Sequence, residues 1–349
     1  MYMKKAAIII FVILMFVEKG KSQDIHFSQY FNTPLIINPA LTGVFGGDQR
    51  VMLAYRNQWA SVTSPYKTYG ASFDTRLFEK SRKNFLLGVG FNVYKDVAGD
   101  TEMGITSAGI SVSGIVKIHD KQHLTAGIHG GFDQRSINQS NMVWDNQFDG
   151  NSHVPTAPSH EFRDFNKPFG IADVNVGVAW VYSDAQKTIT SNDAFSIKMG
   201  LAYNHLTKPD VAFGNFSDKL HDKITFHTSS NVGIPNSSLS IIPILVFNKQ
   251  GPNSELLFGA LLRHRLREDS KYTGIFKESA IAFGIHSRWG DALIPSIAYE
   301  ISHWKLSVSY DANISDLAVA SGGVGGFEIT LTFVNPSPFG TGKSKARFN

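Results

Sequence analysis

Leu86-Leu87-Gly88-Val89-Gly90-Phe91-Asn92-Val93-Tyr94 alternates with a period of two. Leu87, Val89, Phe91 and Val93 share one face, and Gly88, Gly90, Asn92 and Tyr94 share the other. Successive strand residues point to opposite faces, so this is a half-apolar β-strand. The pattern recurs. In Ser107–Ile118, Ala108, Ile110, Val112, Gly114, Val116 and Ile118 oppose Ser107, Gly109, Ser111, Ser113 and Lys117. In the last segment Phe327, Ile329, Leu331 and Phe333 alternate with Glu328, Thr330 and Thr332. An apolar face turned inward belongs to a sandwich, and one turned to lipid belongs to an outer-membrane barrel.

Three observations favour the membrane barrel. The segments run about 9–13 residues, which suits a tilted membrane strand. Gly, Ser, Thr and Asn on the second face make a poor dry core but an ordinary wet lumen. Tyr55, Trp59, Tyr69, Tyr94, Trp180, Tyr182, Tyr203, Trp289, Tyr299 and Trp304 fall near segment ends, as interfacial girdles require. The expected fold is all-β: an antiparallel outer-membrane β-barrel of about 14 strands over 49–335. The expected spans are 49–59, 67–78, 84–95, 104–118, 122–136, 171–183, 193–206, 219–229, 239–248, 254–266, 277–289, 292–301, 304–313 and 325–335. An even strand count puts both chain ends on one side, expected to be the periplasm. Turns 79–83, 119–121 and 302–303 then lie on that side, and longer loops 137–170, 207–218 and 314–324 lie outside. The connections 184–192 and 267–276 are long for periplasmic turns, which leaves room for a missed strand or a working turn.

Residues 1–22 read as a cleavable signal peptide. Lys4 and Lys5 precede an apolar run from Ala6 to Val17, and Gly20 and Ser22 are small residues before a cleavage point at Gln23. The run is shorter than the ~20 residues of a spanning helix. This leader takes four of the 33 basic and one of the 29 acidic residues, leaving 29 against 28. A nearly neutral remainder gives no support for nucleic-acid binding. The chain has no cysteine, which excludes a lipoprotein anchor and disulfides. Residues 23–48 form an apolar N-terminal segment, carrying Phe27, Tyr30, Phe31, Leu35 and Leu41. It is expected at the periplasmic end, as a plug or a docking element. Residues 336–349 are a tail.

Several blocks resemble one known family in order along the chain. They are Gln23-Asp24-Ile25-His26-Phe27-Ser28-Gln29-Tyr30-Phe31, Asn38-Pro39-Ala40-Leu41-Thr42-Gly43 and Tyr55-Arg56-Asn57-Gln58-Trp59. Further on come Trp144-Asp145-Asn146-Gln147-Phe148-Asp149-Gly150, Ala172–Val178 with Trp180 and Tyr182, and Gly200–Leu206 with Pro209. Ser309-Tyr310-Asp311 and Gly326–Leu331 close the set. The set resembles the PorP/SprF family of the Bacteroidetes type IX secretion system. Ile25 stands where proline is common, and Phe327 where the family often has a polar residue. The resemblance implies a non-enzymatic accessory of secretion and gliding motility. It would assist secretion or surface retention of a client adhesin or other protein with a C-terminal sorting domain. Its implied partners are that client, the translocon or periplasmic ring, and outer-membrane lipid.

No reaction emerges from the residues. His119 and His123 flank a turn without the clustered ligands a metal needs. Gly322–Gly326 lacks the lysine and following helix of a phosphate loop. Asp145–Gly150 resembles the start of a calcium loop, but Thr156 stands at the twelfth position in place of an acid. No cofactor or metal is expected. The connection 137–170 concentrates aromatics among acids. Trp144, Asp145, Asp149, Phe162 and Phe165 are therefore the candidate client contacts, with Phe27, Tyr30 and Phe31 as candidates in the N-terminal segment. Arg56, Asp74, Arg76, Asp133 and Arg135 fall on lumen faces, where they line a pore or brace the wall. The competing readings are a general diffusion porin for small solutes and an outer-membrane hydrolase.

Overall fold

Among the described residues of the computed structural model, fourteen antiparallel strands close into one barrel, each paired with its sequence neighbours and the first with the last. The described residues are 24, 27–61, 64–77, 84–138, 142, 144–154, 157, 159, 169–184, 194–212, 217–267, 278–315 and 317–335. The strands are β1 (Gln49–Gln58), β2 (Tyr66–Leu77), β3 (Phe85–Ala98), β4 (Met103–His119), β5 (Gln122–Ser136), β6 (Phe169–Asp184) and β7 (Phe195–Asn204). They continue as β8 (Lys223–Gly233), β9 (Leu239–Gln250), β10 (Asn253–Arg267), β11 (Ser279–Arg288), β12 (Ala292–Ile301), β13 (Trp304–Asn313) and β14 (Val324–Asn335).

Alternation sets which way each strand faces. Ile110, Ile128, Phe283 and Ile285 are 53–64% exposed on the outer wall. Their neighbours in the chain Ser111, His129, Ala282 and His286 are buried. An apolar outside and a polar inside is the outer-membrane arrangement, the inverse of a soluble sandwich. Tyr55 packs on Tyr69 across β1 and β2, with ring centroids 5.2 Å apart, as the girdle reading requires. Tyr94 is an exception, since it lines a cavity inside the lumen.

β6 pairs directly with β7 and β10 directly with β11, so among the described residues no further barrel strand lies between either pair. The eighth strand starts at Lys223, four residues later than expected. The missing piece belongs to the preceding loop. Asp210 accepts hydrogen bonds from the amides of Ala212 and Asp218 and from the Ser217 hydroxyl, and pairs with Lys219 as an isolated bridge.

The N-terminal segment runs through the barrel. Tyr30–Asn32 and Pro39–Leu41 are single 3-10 turns on either side of a one-turn helix, Pro34–Ile37. Proline opens two of the three, where its missing N–H costs nothing. Buried Phe27, Tyr30, Leu35, Ile37, Leu41 and Val44 pack against lumen residues such as Met52, Val246, Leu257, Ala179 and Val181. Asp24 bonds to His205 and Lys223, which border the long β7–β8 connection. Gly43 bonds to Asp74, near the short-turn end of β2. The segment thus spans the lumen lengthwise. The strand ends Gln49 and Asn335 share the short-turn side, as expected, but Asp24 lies at the opposite mouth. The expectation of the whole segment at one end misjudged it, because its polar groups match charges distributed down the lumen wall.

Candidate functional site: the filled lumen

The long-loop half of the lumen holds a buried charge cluster contributed by four strands. Arg56 on β1 stands opposite Glu328 on β14, and both face inward by alternation. Arg56 Nη1 reaches Glu328 Oε2 at 3.1 Å and its Nη2 reaches Asp311 Oδ2 on β13 at 2.8 Å. Arg288 on β11 reaches Asp311 at 3.0 Å and Asp291 at 2.8 Å. The N-terminal segment docks on this cluster. The amides of Ser28 and Gln29 donate to the two oxygens of Glu328 at 2.7 and 3.0 Å. The Ser28 hydroxyl donates to Asp311 at 2.8 Å and accepts from Arg56 and Arg288. Paired charges with satisfied hydrogen bonds survive burial, and loss of one partner strands the others.

A second clamp holds Asp24. His205 directly follows β7 in a left-handed backbone conformation (φ 60°), rare for a residue with a side chain. Its amide donates to Asn175 Oδ1 at 2.8 Å. Its ring sits between Asp173 Oδ2 at 2.8 Å and Asp24 Oδ2 at 2.9 Å, and Lys223 Nζ also reaches Asp24 at 2.9 Å. Burial opposes the charge on His205, but the Asp24 and Asp173 carboxylates outweigh it and raise its pKa to about 9. Burial likewise works against ionised Asp24, yet Lys223 and His205 hold its carboxyl well below the usual range. The imidazolium therefore bridges the chain's first described residue to the wall.

Between these clamps, the backbone of the segment lies on lumen-facing glycines. A Cβ on Gly127 would stand 2.5 Å from the Pro39 carbonyl, and one on Gly88 would collide with the Thr42 carbonyl. Asn38 caps the second 3-10 turn, its Oδ1 accepting from Ala40 N at 2.8 Å. Its Nδ2 donates to Val178 O at 3.1 Å and meets His227 Nε2 at 3.0 Å. Ser113 donates to Thr42 O at 2.6 Å, and Gly43 N donates to Asp74, which also binds Arg50 through both carboxylate oxygens. Two cavities beside the segment measure about 50 and 80 Å³. Both are large enough to admit water.

The structure separates the candidate contact residues. Phe27 and Tyr30 are buried against the wall, and Phe31 stacks on His286 with ring centroids 5.3 Å apart. The Tyr30 phenol donates to Glu255 at 2.9 Å. These three rings are committed to the lumen. In the long connection, Asp145–Gln147 is a 3-10 turn whose buried Gln147 ties Trp144 N to Ala157 O. Asp149 accepts the amides of Asn151 and Ser152, which lowers its pKa and occupies an oxygen a calcium ion would need. Exposed Phe148 presents its ring beside it. Phe162 and Phe165 lie outside the described residues. Arg288, Asp311, Glu328 and His205 escaped the sequence reading as site residues. The signal of Arg288, Asp311 and Glu328 was a charge on the lumen face of a strand, which Arg56 and Asp74 also showed; His205 lies just past β7.

The family model for the type IX secretion system membrane protein PorP/SprF matches residues 19–333. No curated protein matches the chain. Among solved structures, BamA from Haemophilus ducreyi lacking POTRA domains 1–3 is similar at 11% identity and a TM-score of 0.40, over 83% of this chain and 70% of that one. CdiB from Acinetobacter baumannii is similar at 8% identity and a TM-score of 0.41, over 82% and 60%. The β domain of the Bordetella autotransporter BrkA gives 8% and 0.37, over 82% and 99%. With the family match running over nearly the whole barrel and the segment inside it, the chain belongs to the PorP/SprF family of type IX secretion system membrane proteins.

Proposed function

We propose that this outer-membrane barrel is a non-enzymatic accessory that helps a client with a C-terminal sorting domain to be secreted or retained at the cell surface. The observation that carries this reading is a family-wide match on a barrel whose lumen is filled by its own N-terminal segment. A diffusion porin needs a water-filled path, and the lumen instead holds buried ion pairs and apolar clusters. The working surfaces are then the two mouths. In our reading the signal peptide is removed before Gln23 and the short turns face the periplasm, towards the secretion ring. That orientation puts Asp24 and the connection carrying Trp144, Asp145 and Asp149 at the outer mouth, towards the client.

The test is deletion of the gene followed by complementation. Loss of sorting-domain proteins from the medium and cell surface, with unchanged uptake of small solutes, supports the accessory reading. Unchanged secretion with impaired solute uptake overturns it in favour of the porin.

A further inference from the structure

The lumen cavity of about 80 Å³ on the short-turn side of the segment has an unusual lining. It includes Lys198, Arg50, His227 and Ser229 above an apolar floor of Ile37 and Val44, and no carboxylate lines it. Lys198 faces the lumen between buried Ser196 and Ala202 on β7. Among the described residues it makes no ion pair or hydrogen bond, and the charges that act on it are the cations Arg50 and Lys305. The other donors are also uncommitted on this side. Arg50 spends Nε and Nη2 on Asp74, and among the described residues its Nη1 has no acceptor. His227 Nε2 accepts from Asn38, which leaves the ring proton on Nδ1. The Ser229 hydroxyl has no partner among the described residues.

Lys198 is half-buried at this cavity, and no fixed acid lines it to compensate the charge. Four donors around one small volume suit a single tetrahedral oxyanion, which accepts several charge-assisted bonds at once. We propose that this cavity binds one free phosphate-type oxyanion. The bound anion ties together Arg50 on β1, Lys198 on β7 and His227 and Ser229 on β8, beside the apolar face of the segment. This inference stands apart from the secretion reading, because it concerns the lumen whatever the barrel serves.

The test is equilibrium dialysis of the detergent-folded protein with labelled inorganic phosphate at constant ionic strength. Thermal unfolding in phosphate and in chloride runs alongside. The expected result is saturable binding of one phosphate per barrel, displaced by sulfate but not by chloride, with a raised unfolding midpoint. Lys198→Met should weaken binding by about tenfold or more, and Lys198→Arg should retain it. Ser229→Ala, which leaves every charge in place, should weaken it several-fold, so the inference remains testable if Lys198→Met does not fold. No saturable binding by the unaltered protein, or equal binding by Lys198→Met or Ser229→Ala, overturns it.

Discussion

Replacing Arg56 by Met should loosen the N-terminal segment more than any other single change in the lumen. The arginine is 1% exposed and neutralises Glu328 and Asp311, themselves buried. Its loss leaves Arg288 alone to balance two carboxylates, with the Ser28 and Gln29 amides as the remaining donors to Glu328. Breaking a buried ion-pair network by removing one partner costs about 3–5 kcal/mol. If the strain is relieved by releasing the segment, the docked-to-released ratio falls by about two to three and a half decades. Limited proteolysis reads this directly, since 27–47 becomes cleavable while the barrel remains heat-modifiable in gels. Adding Glu328→Gln to Arg56→Met removes the surplus negative charge and should recover much of the loss. A single mutant as protected as the unaltered protein, or a double mutant no better than the single, would refute the assignment of the cluster as the anchor.

Other outcomes follow from the same contacts. His205 carries a pKa of about 9, above its ordinary 6.5, so its clamp on Asp24 is complete below about pH 6.5 and is lost as pH rises through 9. The loss is on the order of 3 kcal/mol. Protease protection of the segment should fall over that window in the unaltered protein, and His205→Gln should remove the pH dependence. Gly127→Val would drive a methyl into the Pro39 carbonyl and should destabilise the docked segment by about 1–3 kcal/mol, read as a lower unfolding midpoint. Replacing Trp144, Phe162 and Phe165 together with alanine should leave a folded barrel that releases its client from the cell surface. Full retention would move the client contact to the short-turn mouth.

The wall of this protein was legible because alternation is a local signal. Ile110 against Ser111, or Phe283 against Ala282, states the facing of a strand without knowledge of its neighbours. Charged lumen residues such as Arg56 and Asp74 could be placed inward by the same rule. Their partners could not, since Glu328 and Asp311 meet Arg56 only once β14 closes on β1 and β13 on β14. The lumen glycines were read as the lining of a wet pore. In the structure Gly88 and Gly127 are seats for the Thr42 and Pro39 backbone, a contact between distant parts of the chain that periodicity does not encode. The direction of the N-terminal segment escaped for the same reason. Its apolar residues announced burial, but only the Asp24–His205 and Gly43–Asp74 contacts show which end lies at which mouth.

The central claim, a barrel filled by its own N-terminal segment, is tested most directly by planar-bilayer conductance of the purified protein. The unaltered protein should show no steady channel, and deletion of residues 24–47 should produce large, stable conductance steps from an otherwise folded barrel. A steady large conductance from the unaltered protein, unchanged by the deletion, would contradict the account.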